Sequence, residues 1–156
     1  GTVGSDEKLN IAKENGYDHV INYNKEDFAK KVLEITDGKG VPVVYDGVGK
    51  DTLDGSIECL AIRGMMVSFG NASGPLDPCN VTKSLAPKGL YLTRPSIAHY
   101  TTTKEELNEA ADKVFEMFIK KKIKLNIFKK YPLTDIVKAH EDLEGRKILG
   151  PAVIIP

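Results

Sequence analysis

Short apolar runs rich in β-branched residues alternate with amphipathic helical stretches along the chain. That alternation restricts the fold more than any other feature, because a strand followed by a helix and another strand returns to its sheet as a parallel crossover. The pattern predicts strands over 19–23, 41–45, 65–69, 89–93 and 152–155. A helix over 5–15 is capped by Ser5, carries Asp6 and Glu7 at its positive end and stops at Gly16. A second, over 27–36, carries Phe28, Val32 and Ile35 and stops at Asp37 and Gly38; a third, over 52–61, carries Leu53, Ile57, Leu60 and Ala61. Later, 103–120 presents Leu107, Ala111, Val114, Phe115 and Phe118 as one stripe, and 134–143 presents Ile136, His140 and Leu143.

Such strands, apolar on both faces, predict an α/β fold with a doubly wound parallel sheet, Rossmann-like and covered by helices on both sides. The length of 156 residues suits one domain. With 22 basic and 22 acidic side chains, the chain lacks the net field of a nucleic-acid or anionic-membrane binder. No apolar run approaches the ~18 residues that span a bilayer, and a cytoplasmic location is expected. Cys59 and Cys79 stand apart, and His19, His99 and His140 share no metal-type spacing with them, so no metal site is expected. Cys59 reads as a core filler and His140 as a packed, hydrogen-bonded histidine. The lysines at 120–122, 124, 129 and 130 read as solvated cations near a helix end. Ser96 and His99 lack a third partner or an elbow motif, which leaves hydrolase chemistry unsupported.

In doubly wound sheets a ligand lies beyond the carboxyl ends of the strands. Here those ends carry glycine-rich strings at 1–5, 46–49 and 69–74, with Asn22-Tyr23 and 93–96 beside them. No G-x-G-x-x-G motif occurs. The chain opens on what reads as a strand end, so the first strand and its glycine loop are expected upstream, in a longer protein. Loss of that strand would leave strand edges and apolar surface uncovered, with lower stability and self-association as the expected result.

Gly1 to Lys8 with Val20-Ile21-Asn22-Tyr23, then 44–49, 66–74, 92–96, 131–133, His140-Glu141 and the closing Ile154-Ile155-Pro156, carry a family resemblance. The chain resembles the NADPH-dependent quinone oxidoreductases, the zeta-crystallin-like, zinc-free branch of the medium-chain dehydrogenase/reductase superfamily. The resemblance implies that 1–156 is part of an NADPH-binding domain whose N-terminal catalytic domain lies outside this chain. It implies that Gly4, Lys8 and Tyr23 surround the 2′-phosphate and adenosine ribose, and that Val48 lines the cofactor. Phe69, Gly70, Asn71 and Ser73 would pass the nicotinamide ribose; Thr93, Arg94 and Pro95 would approach the nicotinamide; Arg146 would be a late cofactor contact. It further implies reduction of a small-molecule quinone and a homodimer formed through the strand 89–93. No residue reads as a general acid or base, and the catalytic residues are left unassigned. Two alternatives stay open: an enoyl or alkenal reductase of the same superfamily, and a non-catalytic nucleotide-binding module.

Overall fold

A computed structural model describes residues 1–145 and 147–156. The chain divides into two compact units, Gly1–His99 and Tyr100–Pro156. Every strand pair in either unit is parallel. Among the described residues no helix is long and apolar enough to cross a membrane.

In the first unit β1 (Thr2–Val3) pairs with β2 (Ile21–Asn22), while β3 (Val41–Asp46), β4 (Leu60–Ser68) and β5 (Tyr91–Thr93) form a sheet in that order. The helices are α1 (Asp6–Glu14), α2 (Phe28–Ile35) and α3 (Leu53–Glu58). Asp27 caps α2 by accepting from Lys30 N at 3.1 Å. Asp37 and Gly38 end it with backbones in the left-handed region, φ 52° and 77°. Ser5 occupies the cap position of α1 with extended backbone, but its hydroxyl makes no capping hydrogen bond.

The third helix is shorter than the apolar spacing predicts, because Leu60 and Ala61 belong to β4. Leu60 pairs with Val41, the register then shifts, and pairing resumes at Val43 with Met65. Pro42 sits at the shift and has no N–H to give the ladder. Val44, Met66 and Leu92 share one sheet face and pack with Leu53, Ile57, Leu60, Leu76 and Leu90. Leu60 and Met66 are almost fully buried, each worth about 1.5–3 kcal/mol of apolar burial. The opposite face was expected to be covered as well, yet Val43, Met65, Tyr91 and Tyr45 are all exposed there. Apolar alternation records which positions avoid water, not which element covers them.

In the second unit α4 (Lys104–Ile119) opens with a reciprocal cap. Glu106 N donates to Thr103 Oγ1 at 3.2 Å, and Thr103 N donates to Glu106 Oε2 at 3.2 Å. The stripe read on this helix is real in sequence but unburied: Phe115 is 62% exposed. A strand the apolar pattern does not mark, β6 (Lys129–Pro132), pairs with β7 (Ala152–Ile155). In α5 (Ile136–Glu144) the buried residues are Ala139 and Asp142, while His140 and Leu143 are exposed. His140 is therefore not the packed histidine expected, because the helix turns the polar side of Asp142 inward instead.

Asp142 is inward because it has partners there. Tyr131 Oη donates to Asp142 Oδ2 at 2.8 Å and Lys129 Nζ donates to the same oxygen at 2.9 Å. Lys138 and Lys147 approach Oδ1 at 3.9 and 3.8 Å. Lys129 first, then Tyr131, hold the carboxyl down to about 2 against an ordinary value of 3.8. A depressed native pKa gives stability that is complete above the unfolded value and is lost as pH falls through the folded one. Denaturation midpoints from pH 7 to pH 2 should therefore show Asp142→Asn clearly below wild type at neutrality. The gap should narrow below pH 3.8 and close near pH 2. A gap independent of pH would mean the ion pairs are not its source.

Candidate functional site

The strand ends of the first unit bring their loops into two clusters. In the first, Gly4 follows β1 and Tyr23 follows β2. A Cβ on Gly4 would lie 2.7 Å from Tyr23 Oη, so the phenol and the turn meet only because Gly4 has no side chain. Asn24 Nδ2 donates to Gly4 O at 2.6 Å and holds the turn from the other side. Lys8 lies one helical turn on and is half-buried, as is Tyr23. Neither Lys8 Nζ nor Tyr23 Oη has a hydrogen-bond partner among the described residues, so a cation and a phenol stand available beside an open turn.

The second cluster is organised by Asp46, at the end of β3 and 4% exposed. Its Oδ1 accepts from Val48 N at 2.8 Å and from Gly49 N at 2.9 Å. Its Oδ2 accepts from Thr52 Oγ1 and Ser56 Oγ, both at 2.7 Å. Burial pushes this carboxyl up, but the hydrogen bonds from Ser56, Gly49, Thr52 and Val48 outweigh it and hold it below the usual carboxylate range. With the peptides of Val48 and Gly49 so fixed, Val48 O accepts from Ser73 N at 2.7 Å and from Ser73 Oγ at 2.9 Å. Ser73 Oγ accepts in turn from Asp51 N at 3.0 Å.

The loop after β4 is thus tied to the loop after β3, and glycines let them touch. Gly49 has φ 97°, and a Cβ there would lie 2.5 Å from Gly74 O. The Phe69 ring lies over Gly47 and is half open to solvent. Arg94, just past β5, donates from Nη1 to Ser68 O at 2.8 Å, and Asn71 Oδ1 accepts from Arg94 Nη2 at 3.3 Å. Its guanidinium is engaged with the loop itself, leaving Thr93 exposed and Pro95 half-buried at the rim.

Of the twelve positions singled out in sequence, Gly4 and Tyr23 meet directly with Lys8 a turn away; Val48 bonds to Ser73, and Gly70, Asn71 and Arg94 bond to one another, with Phe69, Thr93 and Pro95 beside them. Arg146 lies outside the described residues. Sequence reasoning missed the framework: Asp46, Thr52 and Ser56, and Asp6, Asn22 and Asn24. The hub had a faint signal, an Asp closing an apolar strand with hydroxyls six and ten residues on, a spacing that puts both over the strand end on the next helix.

The family model described as zinc-binding dehydrogenase matches residues 1–116. The chain belongs to this zinc-binding dehydrogenase family. It is 44% identical to the quinone oxidoreductase of Pseudomonas aeruginosa over all of its own length and 48% of that protein. It is 41% identical to the 2-haloacrylate reductase of a Burkholderia species, again over all of its own length and 47% of the relative. The Escherichia coli quinone oxidoreductase solved in complex with NADPH superposes with a TM-score of 0.95, at 46% identity, over 100% of this chain and 48% of that one. The chain spans about half the length of the curated relatives it matches. Its fold is accordingly the parallel α/β, Rossmann-like fold expected from its alternating elements.

The family's description mentions zinc, and the described residues do not fit it. No group of three or more His, Cys, Asp or Glu among them could hold a metal ion. Cys59 is buried, and burial pushes its thiol up to about 11.

Proposed function

We propose that this chain is the NADPH-binding part of an oxidoreductase that reduces quinones. The observation that carries the reading is its likeness, over its full length, to a quinone oxidoreductase solved with NADPH. The chain's own residues support it. Lys8 supplies the cation and Tyr23 the hydroxyl for a 2′-phosphate, and Gly4 lets that hydroxyl close on the turn. Val48, Phe69, Gly70, Asn71 and Ser73 form the wall along which the nicotinamide ribose lies, and Thr93, Arg94 and Pro95 the rim nearest the nicotinamide, with Arg146 as a further cofactor contact. The bound cofactor supplies the hydride; these residues bind, orient and exclude water. Among the described residues the outer edge of β5 has no partner in the order β3-β4-β5, and a second copy adding its own β5 there gives a homodimer.

Likeness to a 2-haloacrylate reductase favours a second reading, reduction of a conjugated double bond. Turnover of the gene product with a benzoquinone and with 2-chloroacrylate separates the two by relative kcat/KM. Turnover of neither, with NADPH still bound, supports a binding module. For the cofactor, fluorescence titration should give tighter binding of NADPH than of NADH. Lys8→Ala should weaken NADPH about tenfold and Tyr23→Phe about threefold, with NADH unchanged in both. Equal losses for the two cofactors would remove the 2′-phosphate from this turn.

A further inference from the structure

Dinucleotide sites that hold a free ribose 2′-hydroxyl place a carboxylate near the end of the second strand, whereas a 2′-phosphate needs space and a cation. This chain carries both kinds of group, because Asp6 and Glu7 sit in the first turn of α1 with Lys8 beside them. An unpaired Asp6 would accept a ribose hydroxyl and repel a phosphate. Its two oxygens are instead occupied. Asp6 Oδ1 accepts from Asn22 Nδ2 at 2.7 Å, and Oδ2 accepts from Lys25 Nζ. Asn22 is buried, and its Oδ1 accepts from Asn24 N at 3.1 Å. Asn24 Nδ2 then reaches Gly4 O. One hydrogen-bonded path therefore runs from Lys25 through Asp6, Asn22 and Asn24 to the turn that Tyr23 Oη meets.

We infer that Lys25 is a specificity-determining residue, which by neutralising Asp6 and holding it against Asn22 lets the Gly4 turn take a 2′-phosphate in place of a bare 2′-hydroxyl. The inference rests on the NADPH reading above. Lys25 is a positioning residue; it touches Asp6 and no reacting atom. The two side chains are 63% and 57% exposed, so the pair adds little to stability. Its effect is on the local potential felt by a dianionic group, which is screened only beyond about 8–10 Å.

The test is titration of the full-length protein that contains this chain with NADPH and NADH, with a melting curve for each variant. Lys25→Met should raise the Kd for NADPH about fivefold to tenfold, leave NADH unchanged or tighter, and leave Tm unchanged. Lys25→Arg should keep the wild-type preference, and adding Asp6→Asn to Lys25→Met should restore it. Equal weakening of both cofactors, an unchanged preference in Lys25→Met, or no restoration in the double variant overturns the role given to Lys25. A full-length wild type that binds neither cofactor overturns the NADPH reading and this inference with it. A wild type that prefers NADPH beside a Lys25→Met variant with the same preference overturns only the inference.

Discussion

Asp46→Ala should lower unfolding stability by about 3–5 kcal/mol, the largest loss expected of any single side chain here. Four donors, the N–H groups of Val48 and Gly49 and the hydroxyls of Thr52 and Ser56, all point at one carboxylate that is almost fully buried. Truncation strands the two backbone N–H groups outright, because they have no freedom to turn elsewhere. The hydroxyls can rotate, which is why the sum stays below four full hydrogen bonds. Asp46→Asn keeps an oxygen for the two N–H groups and should cost about 1–2 kcal/mol. Against a typical total of about 5–15 kcal/mol the alanine variant removes a large share. Because the native carboxyl lies below its ordinary 3.8, its contribution is present above that pH and is lost as pH falls through the lower native value. Urea midpoints for wild type, Asp46→Asn and Asp46→Ala at pH 7 check the order. An alanine variant within about 1 kcal/mol of wild type would mean that this carboxylate does not tie the loop.

The elements were legible where local chemistry fixes them. Asp27 at the start of α2, Asp37 and Gly38 at its end, and the Thr103–Glu106 pair at the start of α4 act within a few residues, so a window of sequence contains the whole cause. Leu60 and Ala61 misled because their spacing continues the helical face of α3, whereas pairing with Val41 decides their state. The strand Lys129–Pro132 was illegible for a similar reason: two lysines and a proline are poor strand residues, and only pairing with Ala152–Ile155 makes them one. Burial was the least legible property. The α4 stripe and the face bearing Tyr45 and Tyr91 are apolar yet open.

At the site the division falls differently. Turn glycines and Tyr23 could be named because resemblance and turn chemistry both mark them. The carboxylates were illegible because an Asp at a strand end or a helix start looks alike whether it faces a ligand, solvent or a neighbour. Asp46 and Asp6 differ in what reaches them, and those donors come from up to nineteen positions away in the case of Lys25 and Asp6.

Gly70→Ala should cost about 1–3 kcal/mol and abolish tight cofactor binding, with an affinity loss beyond about tenfold. A Cβ at Gly70 would lie 2.7 Å from Gly47 Cα and 2.8 Å from Gly47 C, both backbone atoms that no rotamer change can move. The loops after β3 and β4 would have to part, and parting them stretches the bonds from Ser73 to Val48 that join the proposed ribose wall. Gly74→Ala is the matched control. Gly74 has φ 118°, so alanine strains the backbone there by about 1–2 kcal/mol, but its Cβ would meet only Lys50 Cβ at 4.0 Å. Stability therefore does not separate the two variants, and affinity does. If the wall depends on contact between the loops, Gly70→Ala loses NADPH while Gly74→Ala keeps it at similar loss of stability. If both lose it equally, loop rigidity is what the cofactor needs, and the close approach of Gly70 to Gly47 has no separate part in binding.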